Sequence, residues 1–271
     1  MPRGPDAVDR PRESDYAPRM LNIIRHDGPD GPTPLLIAHG LYGSGRNWGV
    51  IAKRLSSDRT VFAVDMRNHG LSPWTDSHSY PDMAEDLAAV IRSQGGPMAV
   101  LGHSMGGKAA MMLALTHPDL VTRLIVGDIA PVAYDHDQSR YIAAMQAVDL
   151  SRVEKRSDAE AQLAALVDDP TLPAFFTQSL DLKEKRWRLN LDVLSAQMPN
   201  ILGFPEVAAQ FGAPALFLTG TNSHYVQPEH RAPIKALFPA ARFAKIPGAG
   251  HWLHAEKPRE FEAAVRAWLA A

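Results

Sequence analysis

The run Gly102-His103-Ser104-Met105-Gly106-Gly107 constrains this chain more than any other segment, because an apolar stretch at 98–101 leads into it and a helix-like stretch at 108–117 leads out. A strand that turns abruptly into a helix through Gly-x-Ser-x-Gly forces the serine into a strained backbone conformation and lifts its hydroxyl clear of the sheet edge. Only small neighbours fit beside such a turn, and Gly102 and Gly106 provide the room. The helix that follows aims unpaired N–H groups and the positive end of its dipole at any oxyanion formed near Ser104.

The wider chain carries the same pattern. Apolar runs at 35–38, 61–64, 98–101, 124–126, 215–218 and 241–246 read as buried parallel strands. Between them, 48–55, 80–93, 107–116, 229–238 and 258–269 have helical spacing, with Pro258 suited to a first helical turn. Strand–helix alternation of this kind predicts an α/β fold, a mostly parallel, doubly wound sheet with helices on both faces. From about 131 to 204 the rhythm breaks. Stretches 141–148, 159–166 and 187–194 look helical and no strand stands out, so this segment is expected to be a helical lid above the strand C-terminal edge, where ligands bind in such sheets.

A chain of 271 residues is long for one domain, yet α/β domains of this size are common. The net charge of −2, with no Lys/Arg block, argues against nucleic acid or an anionic membrane surface as main partner. With no cysteine there is no thiol nucleophile, disulfide or Cys-based metal site. Residues 1–19, rich in Pro and charge, lack the apolar core of a secretory signal and are expected to be a disordered tail. No run is long enough for membrane insertion. These features fit a cytoplasmic location.

A serine hydroxyl needs a base within hydrogen-bond reach, and the base needs an orienting carboxylate. His251 is the expected base: it lies in Pro247-Gly248-Ala249-Gly250-His251-Trp252, directly after the last strand. His254 and His103 are expected to be structural. The usual place for the acid, after the penultimate strand, reads Thr221-Asn222-Ser223-His224-Tyr225 and holds no carboxylate. Asp128 ends the strand after the nucleophile strand, one step of about 4.8 Å along the same edge, and is the expected acid; Asp192 in the lid is the alternative. Asp65 also ends a strand, and loop bonding is its expected role. The oxyanion needs two preorganised N–H donors, and these are expected from Met105 and from Leu41 in His39-Gly40-Leu41-Tyr42-Gly43. Gly40, Gly43 and Gly45 lack a phosphate-loop pattern, and the His, Asp and Glu spacings lack zinc-site pairs, so neither cofactor nor metal is expected.

These blocks, together with Asn47-Trp48, Asp65-Met66-Arg67-Asn68-His69-Gly70, Asp128-Ile129-Ala130-Pro131-Val132 and His254-Ala255-Glu256-Lys257-Pro258, resemble the α/β-hydrolase family, and within it the YbfF-type bacterial esterases and their mitochondrial abhydrolase relatives. The resemblance covers roughly residue 21 to the C-terminus. It implies an α/β-hydrolase domain over 20–271 with the lid inserted after the sixth strand, and a Ser-His-Asp esterase or thioesterase acting on a small-molecule acyl ester or thioester, acyl-CoA included. It also implies an acid placed after the strand that follows the nucleophile, in agreement with Asp128. Lys183, Lys185, Arg186 and Arg188 form a basic run that reads first as a solvated face and second as a contact for CoA phosphates. Perhydrolases and carbon–carbon bond hydrolases use the same constellation, and a non-catalytic small-ligand binding protein on this scaffold is a further alternative.

Overall fold

The computed structural model describes residues 20–135 and 138–271. The expected tail over 1–19 lies outside the described residues. Strands β1 (Ile23–His26), β2 (Leu35–Ala38), β3 (Val61–Val64), β4 (Met98–His103), β5 (Val121–Gly127), β8 (Ala215–Gly220) and β9 (Ala241–Ile246) form one sheet in the order β1-β3-β2-β4-β5-β8-β9, and β6 (Leu180–Asp181) pairs with β7 (Arg186–Trp187) in a separate short ladder. All neighbours in the large sheet are parallel except β1 and β3. β2, β3, β4 and β8 are buried along their whole length, which is why they read as continuous apolar runs.

Helices α1 (Gly49–Leu55), α2 (Tyr80–Ser93), α3 (Met105–Thr116), α4 (Ser139–Gln146), α5 (Arg156–Ala164), α6 (Leu172–Thr177), α7 (Leu191–Ala196), α8 (Met198–Leu202), α9 (Arg231–Leu237), α10 (Leu253–Glu256) and α11 (Pro258–Ala270) complete the chain. One apolar cluster contains α2, α3 and much of the lid, and a second gathers α1 and α11 on the opposite face. The sheet is thus covered on both sides, as expected for a doubly wound architecture.

Five details depart from expectation. β9 is buried only at its two ends, with Arg242 and Lys245 between them, and the insertion holds the short β6–β7 ladder where no strand was expected. β1 is a four-residue edge strand only partly buried, and Arg25 and His26 within it hide its strand character. The insertion leaves after the fifth strand rather than the sixth, because the described chain contributes only four strands up to and including β4. The helix expected over 187–194 starts only at Leu191. Its first residues stay extended because their backbone bonds elsewhere: Arg188 N–H donates to Ser179 O, Asn190 N–H to Asn68 O, and Arg188 O accepts from Gly70 N–H.

Lid residues Phe176, Leu180, Trp187, Leu189, Leu191, Leu194 and Met198 are buried against the core, while Phe175 is partly buried beside the Ser104 cavity. The lid is also tied to α3. Lys108, almost fully buried in that otherwise apolar helix, donates from Nζ to Leu202 O (2.8 Å) and Gly203 O (2.6 Å) at the end of α8 and lies over the Tyr134 ring. An ammonium can be buried there because helix-end carbonyls and an aromatic face replace water.

Candidate active site

Ser104 sits between β4 and α3 with φ 52° and ψ −121°, a conformation that an L-residue holds only when its surroundings enforce it. The enforcement is visible on both sides. A Cβ on Gly102 would run into the backbone of Gly106, and one on Gly106 into the carbonyls of Ala38 and His39, so the two glycines let the strand, the turn and the neighbouring β2 loop close on one another. Ser104 N–H donates to Gly127 O (2.9 Å), carrying the β4–β5 ladder to the tip of the turn.

That register places Asp128, the next residue of the neighbouring strand, beside the serine. Asp128 has φ 52°, is fully buried, and donates its own N–H to Leu218 O (2.9 Å). His251 bridges the two tips: its Nε2 is 3.1 Å from Ser104 Oγ and its Nδ1 is 2.8 Å from Asp128 Oδ2. Asp192, the alternative acid, is exposed on α7 and accepts from Gln146 Nε2 (2.9 Å). Asp65 lies on the other side of β4 and accepts from the N–H groups of Gly45 and Leu71 and from Asn22 Nδ2.

Several groups fix this arrangement that the sequence did not single out. The Ser223 hydroxyl donates to Asp128 Oδ2, and Gly220 N–H donates to Oδ1 (3.3 Å). The Tyr225 ring stacks on the His251 imidazole at 3.8 Å and 16°. Glu256 holds the histidine loop by accepting from Gly250 N–H (2.7 Å) and Trp252 N–H (3.1 Å), and His103 Nε2–H donates to His251 O (2.8 Å). His254 stacks on Trp48 at 4.0 Å, and burial pushes its pKa down to about 3, so it is a neutral packing residue. Ser223 and Glu256 stand in the runs 221–225 and 254–258, but only the folded loops reveal what they accept or donate.

Leu41 and Met105 both line the cavity over Ser104, which has a volume of about 100 Å³. Met105 opens α3, so its N–H belongs to the first turn, where no intrahelical acceptor exists. Gly40 packs so close that a Cβ there would stand 3.3 Å from Ser104 Cβ, which brings the Leu41 loop against the serine. An adjoining groove of about 700 Å³ shares Asn47, Phe175, Trp252 and His254 with the cavity. The basic run lies elsewhere: Arg186 and Arg188 border a shallow depression with Gly70 and Trp74, and Arg188 is paired with Asp181 at 2.9 Å. Among the described residues no three His, Asp or Glu side chains are grouped to hold a metal ion, and no helix is long and apolar enough to cross a membrane.

Comparison with known proteins gives the same family from two directions. The chain is 40% identical over 268 residues to the mouse (Mus musculus) protein named sn-1-specific diacylglycerol lipase ABHD11, covering 95% of this chain and 87% of that one. It is 41% identical over 241 residues to Esterase YbfF of Escherichia coli, covering 88% and 93%. A solved structure described as a marine microorganism esterase superposes with a TM-score of 0.87 at 40% identity, covering 92% of this chain and 99% of that one. Residues 33–258 match the family model described as the alpha/beta hydrolase fold, and the chain belongs to that family.

Proposed function

We propose that this chain, an esterase-type hydrolase, cleaves carboxylic esters or thioesters through an acyl-enzyme on Ser104. The observation that carries the reading is the continuous path from Ser104 Oγ through His251 to Asp128, at 3.1 and 2.8 Å. Asp128 accepts from Nδ1–H and leaves Nε2 as the acceptor that faces the hydroxyl. Ser104 Oγ attacks the carbonyl carbon while His251 Nε2 takes its proton. The N–H groups of Leu41 and Met105 hold the tetrahedral oxyanion. Collapse expels the alcohol or thiol, which receives the proton from His251, and a water activated by the same imidazole then frees the acid.

Relatives named as esterase and as diacylglycerol lipase support an ester carbonyl as the reacting group. The thioester reading rests on the shared chemistry alone, since Arg186 and Arg188 border another depression. A panel of p-nitrophenyl esters and acyl-CoAs graded by chain length tests the proposal. Turnover of at least one ester series, abolished in Ser104→Ala, is the expected result. No hydrolysis of any member, or equal hydrolysis by Ser104→Ala, would refute it.

A further inference from the structure

Three fully buried histidines take no part in the proton path, yet they stand in a row behind the cavity. His39 and His69 have ring centroids 5.1 Å apart, and His69 and His78 are 5.5 Å apart. Each touches one of the segments that present an oxyanion donor. We infer that this histidine column is a positioning device for the oxyanion hole, and that it works only as a fixed set of neutral tautomers. The inference rests on the acyl-enzyme reading for its catalytic meaning.

The tautomers follow from the donors around each ring. Met66 N–H donates to His39 Nε2 (2.9 Å), so the His39 proton is on Nδ1 and is donated to Gly40 O at 2.8 Å. Tyr42 N–H donates to His69 Nε2 (3.2 Å), so the His69 proton is also on Nδ1 and goes to Arg67 O at 2.9 Å. The two peptide planes that flank Leu41 are therefore both held by imidazoles. His39, with Gly43 N–H at 3.0 Å, pins the Gly40 carbonyl, and Leu41 N–H belongs to that same peptide unit and points the opposite way. His69 pins the next plane through Tyr42 N–H, at a residue whose φ of 65° is itself unfavourable.

His78 has the opposite tautomer. Asn68 Oδ1 is occupied by Thr75 N–H and Asn190 Nδ2, so Asn68 Nδ2 donates to His78 Nδ1 (3.3 Å) and leaves Nε2–H against Met105 Sδ at 3.2 Å. That contact steadies the residue whose backbone N–H is the second donor. Protonating His39 or His69 would set N–H against N–H. The charged groups facing the column are Asp65 toward His39 and Arg67 and Asp82 toward His78; burial, reinforced at His78 by the Arg67 cation, outweighs the two carboxylates, lowering the pKa of His39 and of His69 and taking His78 to about 3.

The test pairs kinetics with ¹⁵N NMR of histidine-labelled protein. From pH 5.5 to 9 the spectra should show His39 and His69 as neutral Nδ1–H rings and His78 as a neutral Nε2–H ring; an Nε2–H or cationic ring at His39 or His69 in that range overturns the inference whatever the variants do. His69→Leu removes the acceptor for Tyr42 N–H and should slow both kcat and phosphonylation by a fluorophosphonate roughly 10–100-fold, below the 10²–10³ of outright donor loss. KM should move less than about threefold. His69→Gln, which keeps an acceptor, should recover most of the rate. A folded His69→Leu with parental rates also overturns it. Failure of the parent to label at Ser104 would instead remove the acyl-enzyme reading and leave the tautomer result standing.

Discussion

Replacing Asp128 by asparagine separates the role of the buried carboxylate from its contribution to folding. Three donors converge on that group: His251 Nδ1, Ser223 Oγ and Gly220 N–H. An asparagine oxygen in the place of Oδ1 still accepts from Gly220, but the position of Oδ2 then carries an NH₂. Ser223 can rotate its hydroxyl to accept from it. His251 cannot accept at Nδ1 without moving its proton to Nε2, where it points at Ser104 Oγ and blocks the base. The imidazolium formed during attack also loses its counter-charge.

Serine proteases lose about 10⁴ in kcat from the same exchange, equivalent to about 5 kcal/mol of barrier, and a loss of that order is expected here. Stability should change little, because two of the three hydrogen bonds survive and the cost of burying a carboxylate disappears. The assay is hydrolysis of a p-nitrophenyl ester at pH 8, with Tm measured on the same preparation and Asp192→Asn as a control within about twofold of the parent. Turnover of Asp128→Asn within tenfold of the parent would refute the reasoning, as would an equal loss in the control.

Ser223→Ala removes the hydroxyl donated to Asp128 Oδ2 and should lower kcat roughly tenfold and Tm by roughly 3–12 °C, since a hydrogen bond to a charged group is worth about 1.5–3 kcal/mol; ester kinetics beside a thermal melt checks this. Lys108→Met strips Leu202 O and Gly203 O of their Nζ–H donor and should cost about 2 kcal/mol, or roughly 4–8 °C in Tm. Burial holds the Lys108 pKa down to about 7 in the folded chain, so above that pH the unfolded chain binds more protons than the folded one. Its contribution to stability therefore rises with pH from about 7 toward the ordinary lysine value, and the Tm gap between parent and Lys108→Met should widen over that window. Gly106→Ala drives a Cβ into the backbone carbonyls of Ala38 and His39, and should cost about 3 kcal/mol together with most of the activity; denaturant melts and ester kinetics read both.

Much of this was legible before folding, for identifiable reasons. Ser104 and His251 stand in loops whose glycines announce a tight approach; Ser104 follows a run too apolar to be anything but a buried strand, whereas the run before His251 carries Arg242 and Lys245 and is buried only at its ends. Asp128 emerged from the absence of a carboxylate at 221–225 together with the spacing of neighbouring strands. What stayed hidden depends on partners distant in sequence. Ser223 reaches Asp128 across 95 positions, and the Lys108 ammonium finds its acceptors 94 and 95 positions away. In sequence Lys108 is simply a charge inside an apolar helix, and β1 is too short and too polar for periodicity to mark it.

The proton path from position 104 is most directly tested by reacting the parent, Ser104→Ala and His251→Gln with a fluorophosphonate and locating the adduct by peptide mass spectrometry. The account predicts a single phosphonyl group on the Ser104 peptide of the parent, none on Ser104→Ala, and labelling slowed by orders of magnitude on His251→Gln. An adduct on any other residue, or labelling of His251→Gln at the parental rate, would contradict it.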